Sequence, residues 1–378
     1  MKLRHLHYWV SLLLGVATVP ALLSLHLPVK FDWMSLGIAY WLVLAAQSIF
    51  VAASLCLIGL PKQDSFGPLL QSYRRSPVRI AFHLLFFAIL GVAIGWVKAL
   101  ILTVGAIAIL ELRERRKIRA TWQVLMPAVY LFTGFLLVFA YNDIIASVRF
   151  PFAYDSAYNA MDTWLLYGGS ISSLSHWAVQ SFPLLFFRFL EFIYFGMFPQ
   201  IGAGIILVTL YDGKQRGLEL VGTILTAYYL ALGIFYLWPS QGPYYLSGAD
   251  FPRIPGMLQT WSIQDALIAH AQALWNHVPI HHISTDYFIA FPCMHIAQPL
   301  IVMWFLRRWK RMLIALSVYN TVLIVAILFL EWHYLVDIIG GALVAGASIA
   351  ITGSSAWRAH RIRAGSGVPP AREGSLSS

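Results

Sequence analysis

Charge is what this sequence has least of. Asp, Glu, Lys and Arg make up 11% of its 378 residues, against about 25% in a soluble domain. So few charges cannot cover the outside of a water-soluble body of this size. Cysteine is almost absent too: Cys56 and Cys293 are the two present, and two cysteines so far apart make no disulfide framework. Short alternating polar–apolar stretches are missing. Instead 59% of the chain is hydrophobic, gathered into long runs. A run of about 20 residues at 1.5 Å rise crosses a hydrocarbon core of about 30 Å. The formal net charge of +10 sits in short clusters between these runs, where it acts as a topology signal and implies no nucleic-acid partner. The 14 Trp and 18 Tyr suit interfacial belts.

Apolar stretches lie near 8–27, 36–60, 80–110, 122–146, 184–211, 217–238, 291–306, 311–331 and 334–356. They predict an all-α, polytopic membrane protein of roughly eight or nine transmembrane helices. The first stretch is long for a signal peptide, and the next follows within about ten residues, so a retained helix is expected. Four basic clusters then set the topology: Arg113 to Arg119, Lys214 with Arg216, Arg307 to Arg311, and Arg358 to Arg363. Six spans over 122–356 put all four on the cytoplasmic side. Arg74, Arg75 and Arg79 also read as cytoplasmic. That requires 80–110 to be a hairpin turning at Gly95 to Lys98, against the alternative of one long tilted helix. Three parts result: an N-terminal helical module over 1–119, a six-helix core over 120–356, and a basic tail over 357–378 expected to lack order.

Two segments between spans face the outside on this topology. Residues 147–183 carry aromatics, with an interfacial helix expected from Ser156 to Leu166. Residues 239–290 are rich in Pro and Gly and carry Arg253, His277, His281 and His282. A loop of that length is usually functional.

The chemistry-bearing residues flank the last three spans. Phe291-Pro292-Cys293-Met294-His295 opens one span, and His333-Tyr334-Leu335-Val336-Asp337, followed by Gly340-Gly341, opens the last. His333 and Asp337 are spaced i, i+4 and share a helix face. Asp337 can accept from one nitrogen of His333, fixing the tautomer and freeing the other nitrogen as a nucleophile. His295 enters from the same side and suits general acid and base work. An Asp one turn inside an apolar helix costs about 2.5–3.5 kcal/mol on insertion scales, so it pairs or lines a polar cavity. A structural Asp–His lock is the bland alternative.

These stretches resemble the second and third signatures of the type 2 phosphatidic acid phosphatase (PAP2) superfamily. They are most similar to the branch containing the fungal inositol phosphorylceramide synthases. Pro239 to Tyr245 and Asp162 to Gly168 look like further elements of that branch. The resemblance covers about 122–356. It implies a six-helix bundle, His333 as the nucleophile forming a phosphohistidine, Asp337 orienting it, and His295 as general acid and base. It implies no metal and no cofactor. The partner would be a lipid carrying a phosphate or phospho-headgroup in the plasma membrane, handled at the periplasmic, extracellular or lumenal face. The resemblance leaves the oligomeric state open.

The chain departs from the family pattern in three places. An Arg six residues before the last His is replaced by Ile327, the first signature is absent, and Cys293 stands where Ser is usual. A thiol is a poor hydrogen-bond donor. Beside a weak contact from Cys293, phosphate binding is expected from Arg188, Arg253, His281, His282 and Tyr244, with an Arg188–Glu191 lock as the alternative for Arg188. The reading that results is a lipid phosphotransferase or phosphatase, leaning to transfer. Its rivals are a lipid transporter with a His/Asp proton relay and a non-catalytic lipid-binding protein.

Overall fold

Backbone polar groups in a hydrocarbon layer must be paired within the protein, which for long apolar runs means helix. In the computed structural model the residues described are 6–25, 48, 115–247, 259–278 and 288–365. Every regular element among them is an α-helix. The hairpin-or-tilt alternative at 80–110 and most of the N-terminal module lie outside the described residues, as do Arg253, His281 and His282.

The described residues form, in chain order, α1 Leu6–Ser24, α2 Arg115–Arg149, α3 Asp155–Leu165, α4 Ile171–Ser181, α5 Leu184–Phe195, α6 Met197–Asp212, α7 Lys214–Leu237, α8 Pro243–Ser247, α9 Gln259–Trp275, α10 Met294–Leu306, α11 Lys310–Phe329 and α12 Leu335–Gly365. Among the described residues, five stretches are long and apolar enough to cross a membrane: Met126–Arg149, Leu184–Asp212, Lys214–Leu237, Lys310–Phe329 and Leu335–Gly353. The protein is an all-helical, multi-pass membrane protein. The sixth expected span is shorter than its apolar run, because α10 has 13 residues and starts only at Met294. The stretch before it, Phe288, Ile289 and Ala290, is buried and non-helical, which membrane proteins tolerate where protein covers the backbone. The last helix runs on to Gly365, past Trp357, where loss of order was expected. The helix expected from Ser156 to Leu166 is α3, which starts and ends one residue earlier.

The α7 helix is the axis of the bundle, packed on α2, α6, α10 and α12. Its Leu220, Val221, Ile224, Leu225 and Ala227 are fully buried. Small residues let the helices close in, a substitute for hydrophobic drive inside lipid: Gly134 lies against Leu225 and Gly204 against Val302. The basic junctions gather at one end. Asp212 at the α6–α7 turn pairs with Arg308 at the α10–α11 turn at 2.5 Å, and the Arg216 guanidinium sits 4.3 Å from the Phe305 ring centre.

At the other end, glycine decides how α12 meets the 291–293 loop. A Cβ on Gly341 would overlap the carbonyl oxygen of Cys293, and one on Gly340 would overlap the Phe291 ring. Gly346, farther along the same helix, has nothing within 4 Å of that position. Overpacking costs about 1–3 kcal/mol, whereas an exposed helix Gly→Ala change gains up to about 1 kcal/mol. Gly341→Ala is therefore expected to lower the thermal unfolding midpoint in detergent, and Gly346→Ala to leave it level or raise it.

Candidate active site

His333 sits in the connection between α11 and α12, and both helix ends fix it. The α11 helix closes in a Schellman arrangement: the Glu331 N–H donates to the Leu328 carbonyl at 3.0 Å and the Trp332 N–H to the Ile327 carbonyl at 3.0 Å. The left-handed position is held by Glu331, at φ +59°, where glycine is usual. The His333 N–H also reaches the Ile327 carbonyl, at 3.3 Å.

The opening N–H groups of α12 are all paired, as a buried helix end requires. Asp337 Oδ2 accepts from Tyr334 N–H at 2.9 Å, half of a capping box. Asp162, from α3, accepts from Leu335 N–H at 2.6 Å and Val336 N–H at 3.0 Å. The Asp337 N–H donates to the Tyr334 carbonyl at 3.2 Å. Two carboxylates thus lie at the positive end of the helix dipole.

The same Asp337 Oδ2 lies 3.2 Å from His333 Nδ1. On the far side of the ring, His333 Nε2 lies 2.8 Å from His295 Nδ1. The hydrogen-bond pattern assigns the protons: His333 donates through Nδ1, so its Nε2 carries the lone pair, and His295 Nδ1 donates to it. His333 and Asp337 are buried, with side chains 3% and 0% exposed. Burial pushes the His333 imidazole down to about 3, only partly opposed by the Ala290 carbonyl. The ring is neutral at physiological pH, as a nitrogen nucleophile must be.

Ring stacking sets the other imidazole. Tyr194, from α5, stacks on His295 at 4.7 Å and on Trp332 at 5.1 Å, nearly parallel to the latter. His295 also belongs to the first turn of α10, whose N-cap is Cys293. The Cys293 N–H donates to the Asp337 carbonyl at 3.1 Å, and its own carbonyl accepts from Ile296 and Ala297. Its thiol is fully buried. Burial, and then the Asp337 charge, push that thiol well above its ordinary range, which disfavours a thiolate nucleophile.

Asp155 braces the surrounding loops. It accepts from Gln241 N–H at 3.0 Å, Gly242 N–H at 2.8 Å and the Tyr334 hydroxyl at 3.1 Å. Burial outweighs these donors and lifts its carboxyl to about 7. The adjacent Ser240 ties the same loop to the next one. Its carbonyl accepts from Ala290 N–H at 3.0 Å and its hydroxyl from Phe291 N–H at 3.2 Å. Gly242, at φ +121°, packs so close to the Trp332 carbonyl that a Cβ would overlap it.

Of the residues singled out from the sequence, His295, His333, Asp337 and Cys293 come together. Tyr244 is buried one ring further out, edge-on to Trp332 at 5.4 Å. Arg188 lies on the exposed face of α5 with Leu185, Phe189 and Phe192, about a third of a turn from Tyr194, the α5 residue that touches His295. It is therefore not gathered into the cluster. Nor is it locked to Glu191, whose Oε1 accepts instead from Thr260 N–H at 2.7 Å and Thr260 Oγ1 at 2.8 Å. His277 is exposed at φ +53°. Asp155 was missed in the sequence, and Asp162 was seen only as part of a motif. With Tyr158 they form the buried i, i+3, i+7 stripe of α3, while Met161 and Trp164 are 49% and 80% exposed. Two acidic groups on one stripe of a membrane-protein helix were the available signal. Among the described residues, Cys293, His295 and His333 form the one group of side chains placed to share a metal ion.

A family model described as the PAP2 superfamily matches residues 159–351. No curated protein and no solved structure matches the chain.

Removing a helix cap costs about 0.5–2 kcal/mol. Asp162→Ala is expected to lose stability on that scale and to leave the first turn of α12 faster in amide exchange. The pH response has a definite sign. Unfolded histidine titrates near 6.5 and folded His333 near 3, so in that window the unfolded chain binds a proton the folded one refuses. Stability is then lost as pH falls below about 6.5, by about 1.4 kcal/mol per unit. The unfolding midpoint of the wild type should drop more steeply between pH 7 and 5 than that of His333→Gln.

Proposed function

The chain belongs to the PAP2 superfamily, and on that premise we propose that it transfers a phosphoryl or phospho-headgroup between lipids through a phosphohistidine on His333. Family membership supports a membrane lipid phosphoesterase of the phosphatase or phosphotransferase type. The finer reading is carried by one observation, the relay from Asp337 Oδ2 through His333 to His295, at 3.2 and 2.8 Å.

His333 Nε2 attacks phosphorus, the N–P bond forms, and the P–O bond to the lipid leaving group breaks. The departing alkoxide takes the Nδ1 proton of His295. An acceptor hydroxyl then gives its proton back to His295 and attacks phosphorus, and the N–P electron pair returns to Nε2. Asp337 holds the imidazolium that develops, the role of the carboxylate in a catalytic triad. The substrate's phosphorus and bridging oxygen come between the two rings, so binding replaces the His–His hydrogen bond.

Burial of His333, 2% exposed, favours a lipid alcohol over bulk water as acceptor. Ile327 supports the same lean: its side chain is fully buried and its carbonyl anchors Trp332 and His333, so it supplies no cation for hydrolysis-type phosphate binding. The cluster lies at the end of the bundle away from the basic junctions. By the positive-inside rule that is the outer face.

The test is a product assay on the protein in lipid nanodiscs with chelator present, using lipids labelled at phosphate, with and without inositol or ceramide acceptors. Transfer predicts label in a new lipid, and its loss in His333→Ala. Release of free phosphate that depends on His333 would make the protein a phosphatase. Unaltered turnover in His333→Ala would sink the phosphohistidine.

A further inference from the structure

Cys293 places a buried thiol beside the two histidines of the site, and its surroundings give that thiol a consequence. One ligand atom each from Cys293, His295 and His333 lies within 4.8 Å of the other two. The three come from separate parts of the fold: the N-cap of α10, the first turn of α10, and the connection before α12. A thiolate with two imidazole nitrogens suits a borderline-soft divalent ion such as Zn²⁺, not Mg²⁺ or Ca²⁺.

Orientation agrees with composition. His333 presents Nε2 because Asp337 holds Nδ1, the carboxylate–histidine arrangement that backs zinc ligands. His295 Nδ1 faces that Nε2 at 2.8 Å. Two nitrogens about 2.0–2.1 Å from a tetrahedral ion stand roughly 3.3 Å apart. The two nitrogens must part by about half an ångström, and the thiol, within 4.8 Å of them, must stand about 3.5 Å from each to complete a tetrahedral set.

The geometry points to an inhibitory zinc site made of Cys293 Sγ, His295 Nδ1 and His333 Nε2, with its fourth position open to water or a substrate oxygen. Binding releases the Cys293 thiol proton to solvent and moves the His295 proton from Nδ1 to Nε2. The ion takes the lone pair that would attack phosphorus, so the loaded protein does not turn over. Inhibition rests on the phosphohistidine reading, whereas metal binding does not.

The full chain in nanodiscs, stripped by chelator, is titrated with Co²⁺ as a spectroscopic probe. The wild type is expected to bind one Co²⁺ with a thiolate-to-cobalt charge-transfer band and tetrahedral visible bands, all removed by added Zn²⁺. Cys293→Ser should lose the charge-transfer band, and His333→Ala should bind at least about tenfold more weakly. Zn²⁺ should stop turnover and chelator restore it. No charge-transfer band in the wild type overturns the site, and so does one that survives in Cys293→Ser, since it would belong to Cys56. The wild-type competition between Zn²⁺ and Co²⁺ stands whether or not a variant folds. Turnover that requires Zn²⁺ overturns both the inhibition and the metal-free mechanism. Co²⁺ binding as expected, with no turnover in chelator for any lipid, leaves the site standing and removes the phosphohistidine reading.

Discussion

Four backbone N–H groups open α12, and the acceptors they find decide where His333 sits. Water cannot serve them in a buried helix end, and an unpaired buried donor costs about 1–3 kcal/mol. Asp337 takes one and Asp162 takes two. The carboxylate that caps the helix is also the one that holds the imidazole, so local helix chemistry and site chemistry share a single side chain. Asp162 reaches in from α3, so a segment far away in sequence fixes the pitch of the last span.

The pair of imidazoles gains its character from burial. In a medium of low effective dielectric, a charge is favoured only where a partner is fixed in advance. His333 is therefore neutral, with one nitrogen committed to Asp337 and the other aimed at His295. His295 stays partly exposed, with Tyr194 stacked on its ring and on Trp332. The glycines at 242, 340 and 341 let three stretches of backbone approach closely enough for the arrangement to close.

Much of this is legible in the sequence because lipid imposes simple rules. Run length marked the spans, and the basic clusters marked which ends of the helices lie together, as the Asp212–Arg308 pair bears out. The i, i+4 spacing of His333 and Asp337 placed them on one face. Other features are not local. Nothing near Asp155 says that it binds a loop 86 and 87 residues away. In α3 the acidic stripe is the packed one and Trp164 is exposed, the reverse of a soluble amphipathic helix. Arg188 was expected to bind phosphate because a transferred phosphoryl group needs a cationic donor. It lies instead on the exposed face of α5.

The boundary of the family match cuts through this arrangement. The match begins at residue 159, inside α3, between its two structural aspartates. Asp155, which holds the 241–242 turn, falls before it, and so does α2, whose Asn142 side chain accepts the Phe288 N–H at 3.1 Å. The unit that folds is therefore larger than the unit that is recognised. A fragment trimmed to the matched residues would keep every histidine of the site and lose Asp155 and α2, which hold the loops beside them.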